Sequence, residues 1–133
     1  MVSLLSVIGN RAPGARVEVL GYPTLFEETT DCAAIAPSLP RRIRINDGAE
    51  VLRTAIKKAT KDYGKTVHGR RLAEFVDVDR YFENHRICSP DAWINGFNPQ
   101  APGESFHPNT AGHARGYLRA LTTATGRLDL TAA

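Results

Sequence analysis

Alternation of helical and strand patterns is the feature that most restricts how this chain can fold. The segments 16–23 and 72–82 are rich in β-branched and aromatic residues, and helical patterns precede, separate and follow them. The order helix, strand, helix, strand, helix predicts an α/β protein with a parallel sheet covered by helices. The residues that define the two strand patterns are Val17, Val19, Leu20, Phe75, Val76 and Val78.

The central helix is predicted over Arg41–Tyr63, because its apolar residues recur at the spacing of one helical face. Asn46 or Asp47 would cap a later start, and Gly64 is placed to cap the end. The residues of the predicted inward face are Ile45, Ala49, Leu52, Ile56, Ala59 and Tyr63.

Long loops follow both predicted strands, over 24–40 and 83–109, and a last helix is predicted over 110–124 with Asn109 or Thr110 as its N-cap. In open α/β sheets, ligands bind outside the carboxyl ends of the strands, where both loops begin. Two strands are few for such a sheet, so we expect the sheet to be incomplete.

Composition places the 133 residues in one globular domain, 1–133, with 42% hydrophobic and 23% charged residues. The net charge is +3, with clusters at 41–44, 57–61 and 68–71 that lack interleaved aromatic residues, so no nucleic-acid partner is predicted. No apolar run is long enough for a membrane span. The apolar start has no basic region before it, so no signal peptide is predicted in this chain.

His107 is the candidate catalytic residue, because an imidazole can take up and return a proton near neutral pH. Its ring needs an acceptor behind it, and the Glu104 carboxylate and the Ser105 main-chain carbonyl are both close in sequence. The alternative is an exposed or helix-capping histidine.

Other titratable residues are assigned structural roles. His107 and His113 are six positions apart, which is not the spacing of a helical zinc site, and neither a metal nor a cofactor is predicted. Asp77 and Asp79 follow the second strand, where acids can be catalytic, but a turn or cap role is favoured.

The stretch "SFHPNTAGH" resembles the last sequence block of the SGNH (GDSL-type) hydrolases, where a histidine followed by proline is the catalytic base. The stretches "VEVLGYPTLF", "FVDVDRYF" and "CSPDAWINGFNP" are similar, in this order, to the secreted actinobacterial lipase, esterase and phospholipase branch. The resemblance runs from about Arg11 to Leu121.

This resemblance implies a three-layer α/β/α, flavodoxin-like fold and a serine hydrolase that cleaves carboxylic esters or lipids, with His107 as the base. Many members have aspartate where this chain has Glu104, so the Ser105 carbonyl is at least as good a candidate acceptor. It also implies secretion and a Cys32–Cys88 disulfide, the alternative being two free thiols.

Trp93 and Asn95 are candidate substrate-binding residues, because an indole ring and an amide could border an acyl cleft. The alternative for Trp93 is a place in the core.

The family's Gly-Asp-Ser nucleophile motif does not occur in this chain, and Arg44 stands where the glycine of a Gly-x-Asn-Asp block should precede Asn46 and Asp47. We therefore expect the chain to be the C-terminal part of the domain, with a missing N-terminal half as its partner and without activity alone. The alternative is a non-catalytic α/β remnant or binding module.

Overall fold

A computed structural model describes residues 1–29, 32, 37–66 and 72–126. It confirms the predicted order and a partial α/β fold, with a small parallel sheet of two strands and three α-helices in this part of the chain. The elements are α1 (Val2–Arg11), β1 (Val17–Leu20), α2 (Leu39–Thr66), β2 (Ala73–Val76) and α3 (Leu118–Thr125), the last preceded by a π-helical turn (Gly112–Tyr117).

The sheet separates two buried clusters. Strands β1 and β2 pair in parallel along their whole length. Ala73 lies in a cluster with Leu5 of α1 and Tyr63 of α2, whereas Val76 lies in the larger cluster with Ala120 of α3. Because side chains alternate along a strand, Ala73 and Val76 point to opposite faces. Helices therefore cover both faces, as the layered fold requires.

The second strand is shorter than predicted. The strand pattern covered 72–82, but β2 spans only Ala73–Val76, and a 3₁₀ turn follows at Asp79–Tyr81. The Asp77 carboxylate accepts a hydrogen bond from the main-chain N–H of Asp79 at 3.2 Å. Such a local bond competes with strand pairing, so the chain turns where the residue pattern alone predicted more strand. The turn role predicted for Asp77 is confirmed.

Helix α2 is longer than predicted at both ends. It begins at Leu39 and ends at Thr66, so Gly64 lies inside the helix rather than at its C-cap. Asn46 and Asp47 also lie well inside the helix, and neither is an N-cap.

The face that α2 turns inward also differs from the predicted face. Ile45 and Leu52 are 38% and 47% exposed, whereas Ile56 and Tyr63 are buried as predicted. In the first half of α2, the buried side chains are therefore the polar residues Arg42 and Asn46, which we call the polar stripe, and not the apolar residues that periodicity selected. Over residues 39–63 of α2, where side chains are described, the buried residues are Arg42, Asn46, Ile56, Thr60 and Tyr63.

The polar stripe holds the loop that follows β1. The Asn46 amide accepts a hydrogen bond from the Phe26 N–H at 3.2 Å and donates one to the Phe26 carbonyl at 3.0 Å. The Arg42 guanidinium donates to the carbonyls of Glu27 and Thr29 at 2.7 and 2.6 Å. Buried main-chain groups outside regular structure need such partners, and apolar side chains cannot supply them.

A disulfide joins Cys32 and Cys88, with 5.0 Å between their Cα atoms. It links the loop after β1 to the loop after β2 across 56 residues of sequence. The pairing that the family resemblance implied is therefore confirmed. The Arg42 guanidinium lies 3.4 Å from the Cys88 sulfur, next to this junction.

Two glycines allow the last helix to approach its neighbours closely. A Cβ atom at Gly112 would lie 2.3 Å from the Trp93 carbonyl oxygen, and one at Gly116 would lie 2.4 Å from the Phe82 ring. Phe82 is fully buried in the larger cluster. The ring and the carbonyl thus occupy the space that larger residues would need.

We predict that Gly116→Ala lowers the free energy of unfolding by about 1–3 kcal/mol, because the added methyl group overlaps the buried Phe82 ring. Urea unfolding followed by circular dichroism measures the change. Gly48→Ala is the matched control, since a Cβ at Gly48 in α2 meets no atom within 4 Å. It should raise stability by about 0.5–1 kcal/mol. Equal effects of the two substitutions would contradict the packing argument.

Candidate active site around His107

The main chain on either side of His107 is paired with a second extended segment. The Asn95 N–H donates to the His107 carbonyl at 2.9 Å, and the Asn109 N–H donates to the Trp93 carbonyl at 2.9 Å. The Phe106 N–H donates to the Asn95 carbonyl at 3.0 Å. These bonds fix the backbone of His107 while its side chain remains exposed.

Two asparagine side chains strengthen this pairing. The Asn95 amide donates to the Glu104 carbonyl at 3.1 Å, and the Asn109 amide donates to the Ala92 carbonyl at 2.9 Å. The Asn109 side-chain oxygen also accepts from the Gly112 N–H at 3.0 Å, which confirms the predicted N-cap. The turn that carries His107 is thereby joined directly to the start of the last helix.

The two candidate acceptors of the His107 ring lie in the turn just before it. Glu104 ends the 3₁₀ turn Pro102–Glu104 and is exposed. Ser105 is buried, and its hydroxyl accepts a hydrogen bond from the Asn98 N–H at 2.9 Å. No residue within the described ranges is hydrogen-bonded to the His107 ring. Both acceptor assignments therefore stay predictions, and the ring is open to a group that approaches from outside.

Phe106, the residue before His107, belongs to a cluster of aromatic rings that the sequence did not predict. Phe106 has a left-handed backbone with φ of 63°, a conformation that is unfavourable for a bulky residue and that the paired backbone maintains. Its ring meets the buried Phe26 ring edge-on at 6.0 Å and the exposed Phe97 ring at 6.4 Å. The sequence signal was Phe97 shortly before the "GESFHP" turn and Phe106 within it, whereas Phe26 is distant in sequence.

Trp93 lies in the core, which is the alternative that the sequence left open for it. It is 7% exposed, and its ring stacks on the His85 ring at 3.6 Å and meets the Phe82 ring edge-on at 6.1 Å. The indole N–H donates to the Asp91 carboxylate at 3.2 Å. The substrate-binding roles of Trp93 and Asn95 stay predictions, and the Asn95 amide already braces the turn.

Asp79 is the centre of a partly buried ion-pair network. One carboxylate oxygen accepts from the Thr24 N–H at 2.6 Å, and the other lies 2.6 Å from the Arg53 guanidinium and 3.3 Å from that of Arg86. Burial alone would raise the pKa of Asp79, but the hydrogen bond from Thr24 and the two arginines outweigh it and lower that pKa. Asp79 thus joins both loops to α2, a larger role than the turn or cap predicted.

Metal ligands and membrane spans are not found in the described part of the chain. Within it, no three residues among histidine, cysteine, aspartate and glutamate come together as a metal ion would require. Its helices also lack the length and apolar character that crossing a lipid bilayer demands.

The described part of the chain is a partial α/β fold with an exposed histidine on a hydrogen-bonded turn before the last helix. No family model matches the chain. Lipase 1 of Streptomyces coelicolor is 34% identical over 119 residues, which are 90% of this chain and 41% of that protein. A lipase of Streptomyces rimosus is 33% identical over 118 residues, 89% of this chain and 40% of that protein.

Solved structures agree with the sequence relatives. The crystal structure of an extracellular lipase from Streptomyces rimosus has a TM-score of 0.78 and 32% identity, covering 90% of this chain and 47% of that one. Phospholipase A1 from Streptomyces albidoflavus NA297 has a TM-score of 0.81 and 30% identity, covering 92% and 48%. The chain is related to the Streptomyces lipases, as the sequence resemblance implied, and it spans less than half the length of these relatives.

We predict that Asp79→Asn lowers the free energy of unfolding at pH 7 by about 2 kcal/mol, because Arg53 and Arg86 lose the Asp79 carboxylate that they share, although Arg53 keeps its ion pair with Glu50. The lowered pKa of Asp79 makes its stabilisation complete above the ordinary aspartate pKa of about 3.9. That stabilisation is lost as the pH falls through the lower pKa of the folded state. Urea unfolding from pH 7 to pH 3 measures the effect.

The control for this experiment is Asp47→Asn, which removes an exposed carboxylate from α2. It should change the free energy of unfolding by less than about 0.5 kcal/mol at every pH. The difference between wild type and Asp79→Asn should shrink in acid. A difference that stays constant down to pH 3 would show that the charge of Asp79 is not the cause.

Proposed function

We propose that this chain is the C-terminal part of an SGNH (GDSL-type) serine ester hydrolase and that it supplies His107 as the catalytic base. One observation carries the proposal: the exposed His107 side chain projects from a backbone that is hydrogen-bonded on both sides, in a chain related to Streptomyces lipases over about 90% of its length. The substrate class is a carboxylic ester or lipid, as the names of the relatives suggest.

In the proposed reaction, His107 takes the proton of a serine hydroxyl as its oxygen attacks the ester carbonyl. The same proton then passes to the leaving alcohol oxygen, which restores the neutral ring. The Ser105 hydroxyl is a poor candidate for the nucleophile, because it is buried and bound to the main chain of Asn98. Because the family's Gly-Asp-Ser motif does not occur in this chain, the nucleophile and the oxyanion donors are expected on a segment outside it.

The acceptor behind the ring is proposed to be the main-chain carbonyl of Ser105. Hydrogen bonds of the Asn95 main chain to Phe106 and His107 hold the turn, and the buried Ser105 side chain anchors it. The Glu104 carboxylate is exposed, which makes it the second choice. A fixed carbonyl can hold an imidazole in one orientation without the loss of side-chain freedom that a glutamate incurs.

The disulfide supports a secreted protein. Disulfides persist in oxidising compartments and are rare in reducing ones. Cys32 and Cys88 are paired, and one structural relative is described as an extracellular lipase. We therefore propose that the protein acts outside the cell.

The purified chain alone should show no ester hydrolysis above the buffer rate. Fused behind the part of the Streptomyces rimosus lipase that it does not cover, where we expect the nucleophile, it should give an active chimera. In that chimera, His107→Ala should lower kcat on p-nitrophenyl esters by several orders of magnitude, because the base is lost.

His113→Ala is the matched control in the chimera, since His113 is also exposed and lies six residues further along the chain. It should retain kcat within a few fold. If the chain alone hydrolyses esters and His107→Ala abolishes that activity, the nucleophile is within this chain, and the proposal that it lies on another segment is overturned. A folded chimera without activity would favour the non-catalytic binding module.

Glu104→Gln separates the two candidate acceptors. If the Ser105 carbonyl orients the ring, this substitution in the active chimera should change kcat by less than about tenfold. If the Glu104 carboxylate orients it, the loss should approach the roughly 10⁴-fold seen when a triad aspartate becomes an amide. If the carbonyl orients the ring, the pH profile of kcat/KM should be unchanged in Glu104→Gln. A loss of kcat that approaches roughly 10⁴-fold would refute the assignment of the Ser105 carbonyl.

A further inference from the structure

Two open clefts meet on the surface beside α3. Their volumes are about 620 and 550 Å³, and His85, Trp93 and Arg119 line both of them. The first, which we call the arginine cleft, is also lined by Arg80 and Tyr81. The second, which we call the apolar groove, runs along the outer side of the last helix.

Two guanidinium groups approach one tyrosine in the arginine cleft. Arg80 lies over the Tyr81 ring at 4.8 Å and donates a hydrogen bond to its hydroxyl at 2.8 Å. The Arg119 guanidinium lies 6.0 Å from the centre of the same ring. The hydrogen bond with Thr123, followed by the influence of Arg80, lowers the pKa of Tyr81.

Neither arginine has a carboxylate partner among the residues that the structure describes. Glu83 also lines the arginine cleft but forms no ion pair with either of them. Asn84 and Thr123 add polar groups to the same walls. Guanidinium groups without a carboxylate partner in a concave site favour an anion, and donors from several sides suit the oxygens of a phosphate group.

The apolar groove adjoins this positive site. Ala114 and Leu118 line it together with Trp93, and Leu118 is 39% exposed. Arg115 also lines it. The Asp91 carboxylate lines the groove as well, so the arginines outnumber the acids in the joined clefts by three to two. Apolar surface beside these guanidinium groups is complementary to a molecule with one hydrocarbon chain and an anionic head.

We propose that the joined clefts bind an amphiphile with a single alkyl or acyl chain and a phosphate head group. The head group lies against Arg80 and Arg119, and the chain follows the groove past Leu118. This site does not depend on the proposed hydrolytic function, since occupying it requires no reaction at His107.

Trp93 makes the proposal directly testable, because it is the one tryptophan of the chain and lines both clefts. Octyl phosphate, titrated below its micelle concentration, should change the tryptophan fluorescence saturably. Arg80→Gln and Arg119→Gln should each weaken this binding by about tenfold or more, because each removes charge-assisted hydrogen bonds. Leu118→Asn should weaken octyl phosphate more than ethyl phosphate.

Arg44→Gln is the matched control, since it removes the same charge from an exposed position on α2. It should leave the affinity within twofold. Thermal unfolding of each variant shows whether it is folded, and either cleft arginine alone suffices for the test. Equal weakening by Arg44→Gln, or equal affinity for octyl glucoside, would overturn the anionic site. Inorganic phosphate that binds as tightly as octyl phosphate would overturn the role of the apolar groove.

Discussion

Hydrogen bonds from side chains to main-chain groups of the two long loops are the interaction on which the rest of this structure depends. The sheet is small, so most of the chain around the candidate site has no regular ladder to satisfy its N–H and C=O groups. In the loop after β1, main-chain carbonyls accept hydrogen bonds from the side chains of Arg42 and Asn46. In the loop after β2, they accept hydrogen bonds from the side chains of Asn95 and Asn109. Where these polar side chains bind, the loops acquire one fixed path, and the His107 turn is positioned as a result.

The sequence predicted the order of elements, a cap at Asn109 or Thr110, of which Asn109 is the one observed, and, through the family resemblance, the disulfide. These features depend on the spacing of nearby residues or on sequence motifs, so they can be predicted without knowing the rest of the fold. The prediction of the inward face of α2 was wrong for its first half. Ile45 and Leu52 have the spacing of one helical face, but Arg42 and Asn46 are the residues that contact the loop after β1. Periodicity reports which residues are apolar, and it cannot report that the neighbouring surface consists of main-chain polar groups.

The candidate site was predictable in its central residue but not in its surroundings. The motif at His107 selected the candidate base, an assignment that stays a prediction. The left-handed backbone of Phe106 and its contact with Phe26 depend on residues far apart in sequence. The reason for glycine at 112 and 116 became visible only once the positions of Trp93 and Phe82 were known. A close contact involves two segments of the chain, and the sequence of one segment does not show which residue of the other segment it meets.

The π-helical turn Gly112–Tyr117 has a consequence for how the two ends of the last helix can change. A π turn amounts to one residue more than an α-helix would use over the same rise, so it shifts the phase of the helical residues after it by about 100°. The N-terminal end faces the His107 turn, whereas the side chains from Leu118 onward face the sheet and the clefts. The two ends therefore have separate helical phases, and loss of one residue between them would turn one set of contacts away from its partners while the other stayed in place.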